Sequence, residues 1–244
     1  MGDLFLKINA FIKGLILFLR PHILLGFLKK PFLFSYNLLR LTKWISGQKK
    51  QGILNDYFTI KRDYQKRYKL YEYLVETQKL SDEAVDYLEF GVSGGFSFKW
   101  WRETNKNPNS RFYGFDTFEG LPENWGVVYK KGDMTAGVPV SDDKRVEFVK
   151  GLFQDTLPDF LRTHDLAKSR RRIIHLDADL FSATLYALSN MAVHLRPGDI
   201  LLFDEFNVPN HEFYAYKCFT ESFYVKTELL GVVNNYLQAA FKIV

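Results

Sequence analysis

The chain has 244 residues, of which 47% are hydrophobic and 25% charged, and a single cysteine, Cys218. That length holds one α/β domain with an appendage, or one large domain, and the composition excludes wholesale disorder. The lone cysteine excludes a disulfide scaffold and a cysteine-rich zinc site, and fits a reducing compartment. The formal net charge of +5 is unevenly spread, since residues 1–50 carry +8 and the remainder −3. The body is therefore mildly acidic, and nucleic acid is not an expected partner despite a pI of 9.0.

In chain order, residues 3–20 predict an amphipathic helix. At about 100° per residue, Asp3, Lys7, Asn9, Lys13, Gly14 and Arg20 gather on one half. Leu4, Ile8, Phe11, Ile12, Leu15, Phe18 and Leu19 take the other. Pro21 should end this helix. A second apolar stretch, Phe32–Ile45, closes at Ser46–Gly47. No charge-free run approaches the roughly 20 residues of a spanning helix, and the pattern lacks the cleavage site of a signal peptide. Leu6 stands where a myristoylation signal requires Ser or Thr. Basic amphipathic helices of this kind lie in the plane of an anionic membrane surface, so residues 1–45 are expected to bind one. The alternative is packing on the body or on a second subunit. The expected division is a helical head over 1–50 and a domain over 51–244.

Residues 55–80 read as one long helix, with Tyr64, Tyr68, Tyr71 and Leu74–Val75 on a core-facing stripe. Beyond Ser81, strand-like runs at Ala84–Phe90, Arg111–Phe115, Val146–Val149, Arg172–Leu176 and Asp199–Phe203 alternate with helical stretches. That rhythm predicts βαβ units and a parallel sheet. Val225–Val232 and Leu237–Val244 lack an intervening helix and read as an antiparallel pair at its edge. The fold class is α/β, a doubly wound, mostly parallel seven-stranded Rossmann-like sheet with an N-terminal helical extension. Ligands of such sheets bind beyond the carboxyl ends of the strands.

The chemistry-bearing residues fall there. Glu89, Gly91, Ser93, Gly94 and Gly95 follow the first strand and open a helix, so the backbone and a helix N-terminus can approach a ligand. Asp116 follows the second strand at the spacing where an acid takes ribose hydroxyls. Loop and acid point to a nucleoside-containing cofactor; NAD stays open, although an acid ahead of the glycines suits a cationic ligand better. Asp177 and Asp179 follow the fourth strand, Asp204 and Glu205 the fifth. Neighbouring strand ends lie about 5 Å apart, so these carboxylates converge and would repel one another without a hard divalent cation such as Mg²⁺. The alternative is that Asp179 or Glu205 caps a helix or pairs with Arg171 or Arg172. His175, inside a strand, reads as a satisfied core residue.

Taken in order, YLEFGVSGGFSFKWW, YGFDTFEGLPENW, FVKGLFQDTLPDFL, IIHLDADLFSATLYAL and LRPGDILLFDEFN resemble the macrocin O-methyltransferase (TylF-like) family of class I S-adenosylmethionine-dependent enzymes. The resemblance spans roughly residues 81–240 and omits the head. It implies that Glu89, Gly91, Gly94 and Gly95 surround the methionine part of the cofactor. It likewise implies that Asp116, with Thr117 and Phe118, holds the ribose, and that Gly151–Phe153 border the adenine. Asp177, Asp204 and Glu205 would be the metal ligands, with Asp177 also near the reacting hydroxyl and Asp179 beside it as a further catalytic carboxylate. Glu205 departs from the aspartate usual in that position, and the segment between Pro122 and Val146 is short. The implied function is metal-assisted methylation of a sugar or glycoconjugate hydroxyl by a homodimer, on the cytosolic face of a membrane where the methyl donor is made. A phenolic or other natural-product acceptor, a non-catalytic membrane scaffold and an NAD oxidoreductase remain the alternatives.

Overall fold

A computed structural model describes residues 2–48, 51–126, 128–166 and 170–244. The head opens with α1 (Gly2–Leu19), then a short turn of helix α2 (His22–Leu25), one turn of 3₁₀ helix at Gly26–Leu28, and α3 (Lys29–Ser46). The break falls at Arg20–Pro21, as the proline dictates. No side chain of α1 is buried, and α1 and the helical segment that follows it meet at 59°. Among the described residues, no single helix is long and apolar enough to cross a membrane.

The last turns of α3 belong to the body. Leu41 is buried, and the Trp44 ring lies within 6.3 Å of Phe206, Phe213, Tyr216, Tyr236 and Phe241, centroid to centroid. Asn37 donates to Asn210, and Arg40 reaches Glu221.

The body continues with β1 (Leu54–Asn55), α4 (Lys66–Gln78), β2 (Val85–Phe90), α5 (Phe96–Thr104), β3 (Arg111–Asp116), β4 (Val146–Lys150) and α6 (Phe153–Thr163). Then come β5 (Arg171–Leu176), α7 (Phe181–Met191), β6 (Ile200–Phe203), α8 (Glu212–Ser222), β7 (Thr227–Val233) and β8 (Gln238–Ile243). The strands form one sheet in the order β1-β7-β8-β6-β5-β2-β3-β4, with β8 alone antiparallel to its neighbours. β2 and β5 are buried on both faces, and their polar members Asp86, Glu89, Arg172 and His175 are buried with the apolar ones. One apolar cluster lies under α6, α7, α8 and the end of α3, and a second under α4 and α5.

Two expectations are corrected. The sheet has eight strands, because the two-residue β1 pairs parallel with β7 and covers its edge. The long helix over 55–80 is instead a strap (56–65) followed by α4. Asp63 and Tyr64 lie in that strap, whose backbone bonds to side chains of the β7–β8 turn rather than to a helical ladder. Tyr71 and Leu74 are core residues as the stripe implied, but Tyr64 is not.

Candidate functional site

A cavity of about 500 Å³ opens at the carboxyl ends of β2, β3, β5 and β6. Its floor is the loop between β2 and α5. Gly91 is pinned there by bonds from its N–H to Phe115 O and from Asp177 N–H to Phe90 O, both 2.9 Å. At φ +95° an added Cβ would lie 1.9 Å from the Asp177 carbonyl oxygen, so only glycine fits between these strands. Gly91, Ser93 and Gly94 line the cavity, whereas Gly95 stands behind it as the N-cap of α5.

Asp116 holds this loop in place. Its Oδ2 accepts the N–H groups of Val92 and Ser93 at 2.8 Å each, and its Oδ1 accepts that of Phe118 at 2.8 Å. Carboxylate oxygens have lone pairs beyond these, so a ligand hydroxyl can still be received. Thr117 and Phe153 line the cavity with it. Phe118 does not; it is buried against Phe148. Glu89 is also absent from the lining: fully buried, it accepts the Ser97 hydroxyl at 2.6 Å and the Tyr87 hydroxyl. Its carboxylate supports the loop from beneath. His175 Nδ1 lies 2.7 Å from the same Tyr87 hydroxyl, so this histidine is satisfied within the core.

The opposite wall is acidic. Asp177, Asp179, Asp204 and Glu205 all line the cavity. Burial, with Glu205, Asp204 and Asp116 nearby, pushes the Asp179 carboxyl up to about 7. Burial likewise raises Asp177, Asp204 and Glu205, and raises the fully buried Glu212 behind them well above the usual range. Neither Arg171 nor Arg172 neutralises the group: they pair with Glu83 and Asp199 at the other end of the sheet. One ligand atom each from His175, Asp177 and Asp204 lies within 4.8 Å of the others. Asp204 Oδ1 is buried without a partner. Two carboxylates supplying hard oxygen ligands, one of them carrying an orphaned buried oxygen, fit a divalent cation. Glu205 stands outside that group, its Oε1 bonded by Tyr64 and, at 3.1 Å, by Arg62.

Arg62 and Arg67 line the cavity without having been singled out in the sequence, and Tyr64, expected on a core-facing stripe, lines it with them. Arg67 lies 3.2 Å from Asp204 Oδ2 and 3.9 Å from Asp177 Oδ2. The one available signal was a cluster of basic residues ahead of a domain with surplus acids. Trp125 and Tyr129, stacked at 5.0 Å on the cavity rim, gave no signal at all.

Residues 88–206 match a family model described as a methyltransferase domain. A Streptomyces olivaceus protein named 8-demethyl-8-(2,3-dimethoxy-alpha-L-rhamnosyl)-tetracenomycin-C 4'-O-methyltransferase is 27% identical over 159 residues, 56% of this chain. The aligned part spans 59% of that relative's length. Among solved structures, the calicheamicin methyltransferase CalS11 superposes with a TM-score of 0.54 at 20% identity, over 85% of this chain and 91% of that one. Its apo form, described as a TDP-rhamnose 3'-O-methyltransferase, gives 0.50 at 18% identity, over 85% and 93%. The expected Rossmann-like fold is thereby borne out, and residues 88–206 are similar to a methyltransferase domain.

Proposed function

We propose that this chain, whose residues 88–206 fall in a methyltransferase-domain family, moves a methyl group from S-adenosylmethionine to a sugar or glycoconjugate hydroxyl. The observation that carries the reading is one cavity joining the glycine loop, Asp116 and the carboxylates of Asp177, Asp179 and Asp204. The name of the Streptomyces relative, a methyltransferase for a rhamnosyl hydroxyl, supports the acceptor class.

S-adenosylmethionine supplies an activated methyl on a sulfonium. Gly91, Ser93 and Gly94 let the backbone approach it, while Asp116 receives the ribose and keeps the loop closed. Asp177 and Asp179 face the acceptor side. A carboxyl held near neutrality is matched to taking a proton from a hydroxyl, and Asp179 has that property. A divalent cation such as Mg²⁺ at Asp177 and Asp204, with Glu205 as third ligand, would lower the acceptor's pKa and orient it. Positioning of oxygen, methyl and sulfur in line does the rest.

Calorimetry with S-adenosylmethionine tests this directly. Asp116→Ala should weaken binding by about 1–3 kcal/mol, the scale of lost charge-assisted hydrogen bonds. Binding of NADH with no response to S-adenosylmethionine would overturn the reading.

We also propose that residues 1–45 hold the enzyme on the anionic, cytosolic face of a membrane. α1 exposes Leu4, Phe11, Phe18 and their neighbours without a protein partner among the described residues, and the head is strongly basic. Removing the head up to Gln51 is a poor test, because Trp44 would leave the core with it. Sedimentation of the full chain with phosphatidylglycerol vesicles, against phosphatidylcholine vesicles, is the better one. Binding to the former that salt weakens and a Phe11→Ser, Phe18→Ser double variant abolishes is expected; equal recovery in both supernatants would refute it. A homodimer, carried over from the family resemblance, should appear as twice the chain mass in light scattering.

A further inference from the structure

The acidic wall is not bare: three side chains, Arg62 and Tyr64 of the strap and Arg67 of the first turn of α4, close over it. Arg67 sits between Asp204 Oδ2 (3.2 Å) and Asp177 Oδ2 (3.9 Å). The Tyr64 ring lies between two guanidinium groups, Arg62 at 4.4 Å and Arg67 at 4.5 Å from its centroid. The Tyr64 hydroxyl and Arg62 both donate to Glu205 Oε1. The three carboxylates implied as metal ligands are therefore all engaged by one arginine–tyrosine–arginine stack. Yet Asp204 Oδ1, on a residue only 2% exposed, has no partner, and Asp204 belongs to a group of possible cation ligands with Asp177 and His175.

We propose that this stack is an internal counter-ion latch. Without a divalent cation, Arg67 occupies the cation position between Asp177 and Asp204, and Tyr64 with Arg62 holds Glu205 aside; a cation binds by displacing Arg67 and drawing Glu205 in. The inference rests on the metal part of the proposed function and deepens it. A guanidinium and a divalent cation cannot share two carboxylate oxygens, because each repels the other at short range. Arginine is suited to the position, since its fork spans two carboxylates where a lysine would meet one.

The strap's anchors leave its inner face free to move. Thr59 and Asp63 exchange amide bonds with Asn235 and Asn234 of the β7–β8 turn, and Lys66 pairs with Asp56 at 2.6 Å. None of these bonds involves the acidic wall. The strap's outer surface is loose, with Ile60 94% exposed. With Arg62, Tyr64 and Arg67 turned away from the wall, these anchors alone would hold the strap and the start of α4. The latch also accounts for the one metal position that stands outside the ligand group: Glu205 is held by the strap rather than misplaced by the fold.

The test is Mn²⁺ titration of the full chain, read by the electron paramagnetic resonance of the free ion, with no acceptor or methyl donor present. Arg67→Met should tighten Mn²⁺ binding at least tenfold, and Arg67→Lys by less. Tyr64→Phe, which removes one of the two donors to Glu205 Oε1 while keeping the ring, should also tighten it. In the unsubstituted chain, Mn²⁺ should speed amide hydrogen exchange over residues 56–67. Equal or weaker Mn²⁺ affinity in Arg67→Met overturns the latch, as does unchanged exchange in the strap. No Mn²⁺ binding by any variant overturns the metal site as well. The methyltransferase reading is judged separately, by S-adenosylmethionine calorimetry, so the two failures are distinguishable.

Discussion

The two ends of the sheet both carry clusters of charge, built on opposite plans. At the amino end, each of three consecutive arginines has an acid of its own: Arg170 with Asp86 at 2.6 Å, Arg171 with Glu83 at 3.5 Å, Arg172 with Asp199 at 2.8 Å. At the carboxyl end, Asp177, Asp179, Asp204, Glu205 and Glu212 crowd together, and among the described residues Arg62 and Arg67 are the arginines paired with them. Charges matched one to one hold strands in place. A surplus of one sign on a cavity wall costs stability and is kept for what it can bind or deprotonate.

The largest effects should separate the two plans. Arg172 is 1% exposed and donates from Nε to Asp199, which also accepts the Arg172 backbone N–H. Arg172→Met leaves that buried carboxylate with backbone donors but without its guanidinium, and should cost about 3–5 kcal/mol in urea unfolding. Asp204→Asn removes a charge from the crowded end. It should leave stability unchanged or raised while methyl transfer falls by about 10²–10⁴-fold, the range for losing a proton-handling or cation-holding group. If Asp204→Asn unfolds the protein as readily as Arg172→Met, the contrast between the ends is wrong.

The same contrast explains what the sequence disclosed. The strands, the glycine loop and the acids at strand ends are local patterns of period, turn and spacing, and they landed within a residue or two of the observed bounds. Asp116 and Asp177 were found because a doubly wound sheet fixes where strand ends must lie. Glu89, at the end of β2, and Phe118 lie beside the cavity rather than on its lining, because side-chain direction depends on partners such as Tyr87 and Ser97 that spacing does not reveal. The place of Arg62, Tyr64 and Arg67 on the cavity lining was missed for a different reason. Their role arises from the strap folding back some 140 residues along the chain to Glu205, a contact with no local signature. Trp44 shows the converse, a head residue whose apolar neighbours suggested a membrane but whose ring belongs to the core.

A smaller effect should appear with pH. Asp179, pushed up to about 7, keeps a proton in the folded protein that the unfolded chain has already released above about pH 4. The folded state therefore binds more protons across that window, and stability must fall as pH rises from about 4 to 7, then level off. The raised carboxyls of Asp177, Asp204, Glu205 and Glu212 act in the same direction. Asp179→Asn in chelator should flatten part of that slope, by a few kcal/mol at most at about 1.4 kcal/mol per unit. A wild-type stability that climbs over the same window, with no difference from Asp179→Asn, would mean that the acidic wall is relieved in solution.

The smallest effect lies inside the matched cluster and sharpens what matching means there. Glu83 is 41% exposed at its side chain, and its contact with Arg171 is 3.5 Å long. Arg171 does not depend on it: Nη2 donates to Gln78 Oε1 at 2.8 Å and Nε to the Gly198 carbonyl. Water screens the exposed carboxylate and no buried group is orphaned by its loss, so Glu83→Gln should change stability by no more than about 0.5 kcal/mol. Asp86 is different, fully buried with Arg170 as its partner, and Asp86→Ala should cost several times more because the Arg170 charge loses its carboxylate at the amino end of the sheet's interior strands. Measured side by side in thermal unfolding, the two variants ask whether burial or pairing governs the amino end. Equal losses would make pairing the rule; the expected wide gap makes burial the rule, and leaves the exposed pair as a consequence of the arginine run rather than a reason for it.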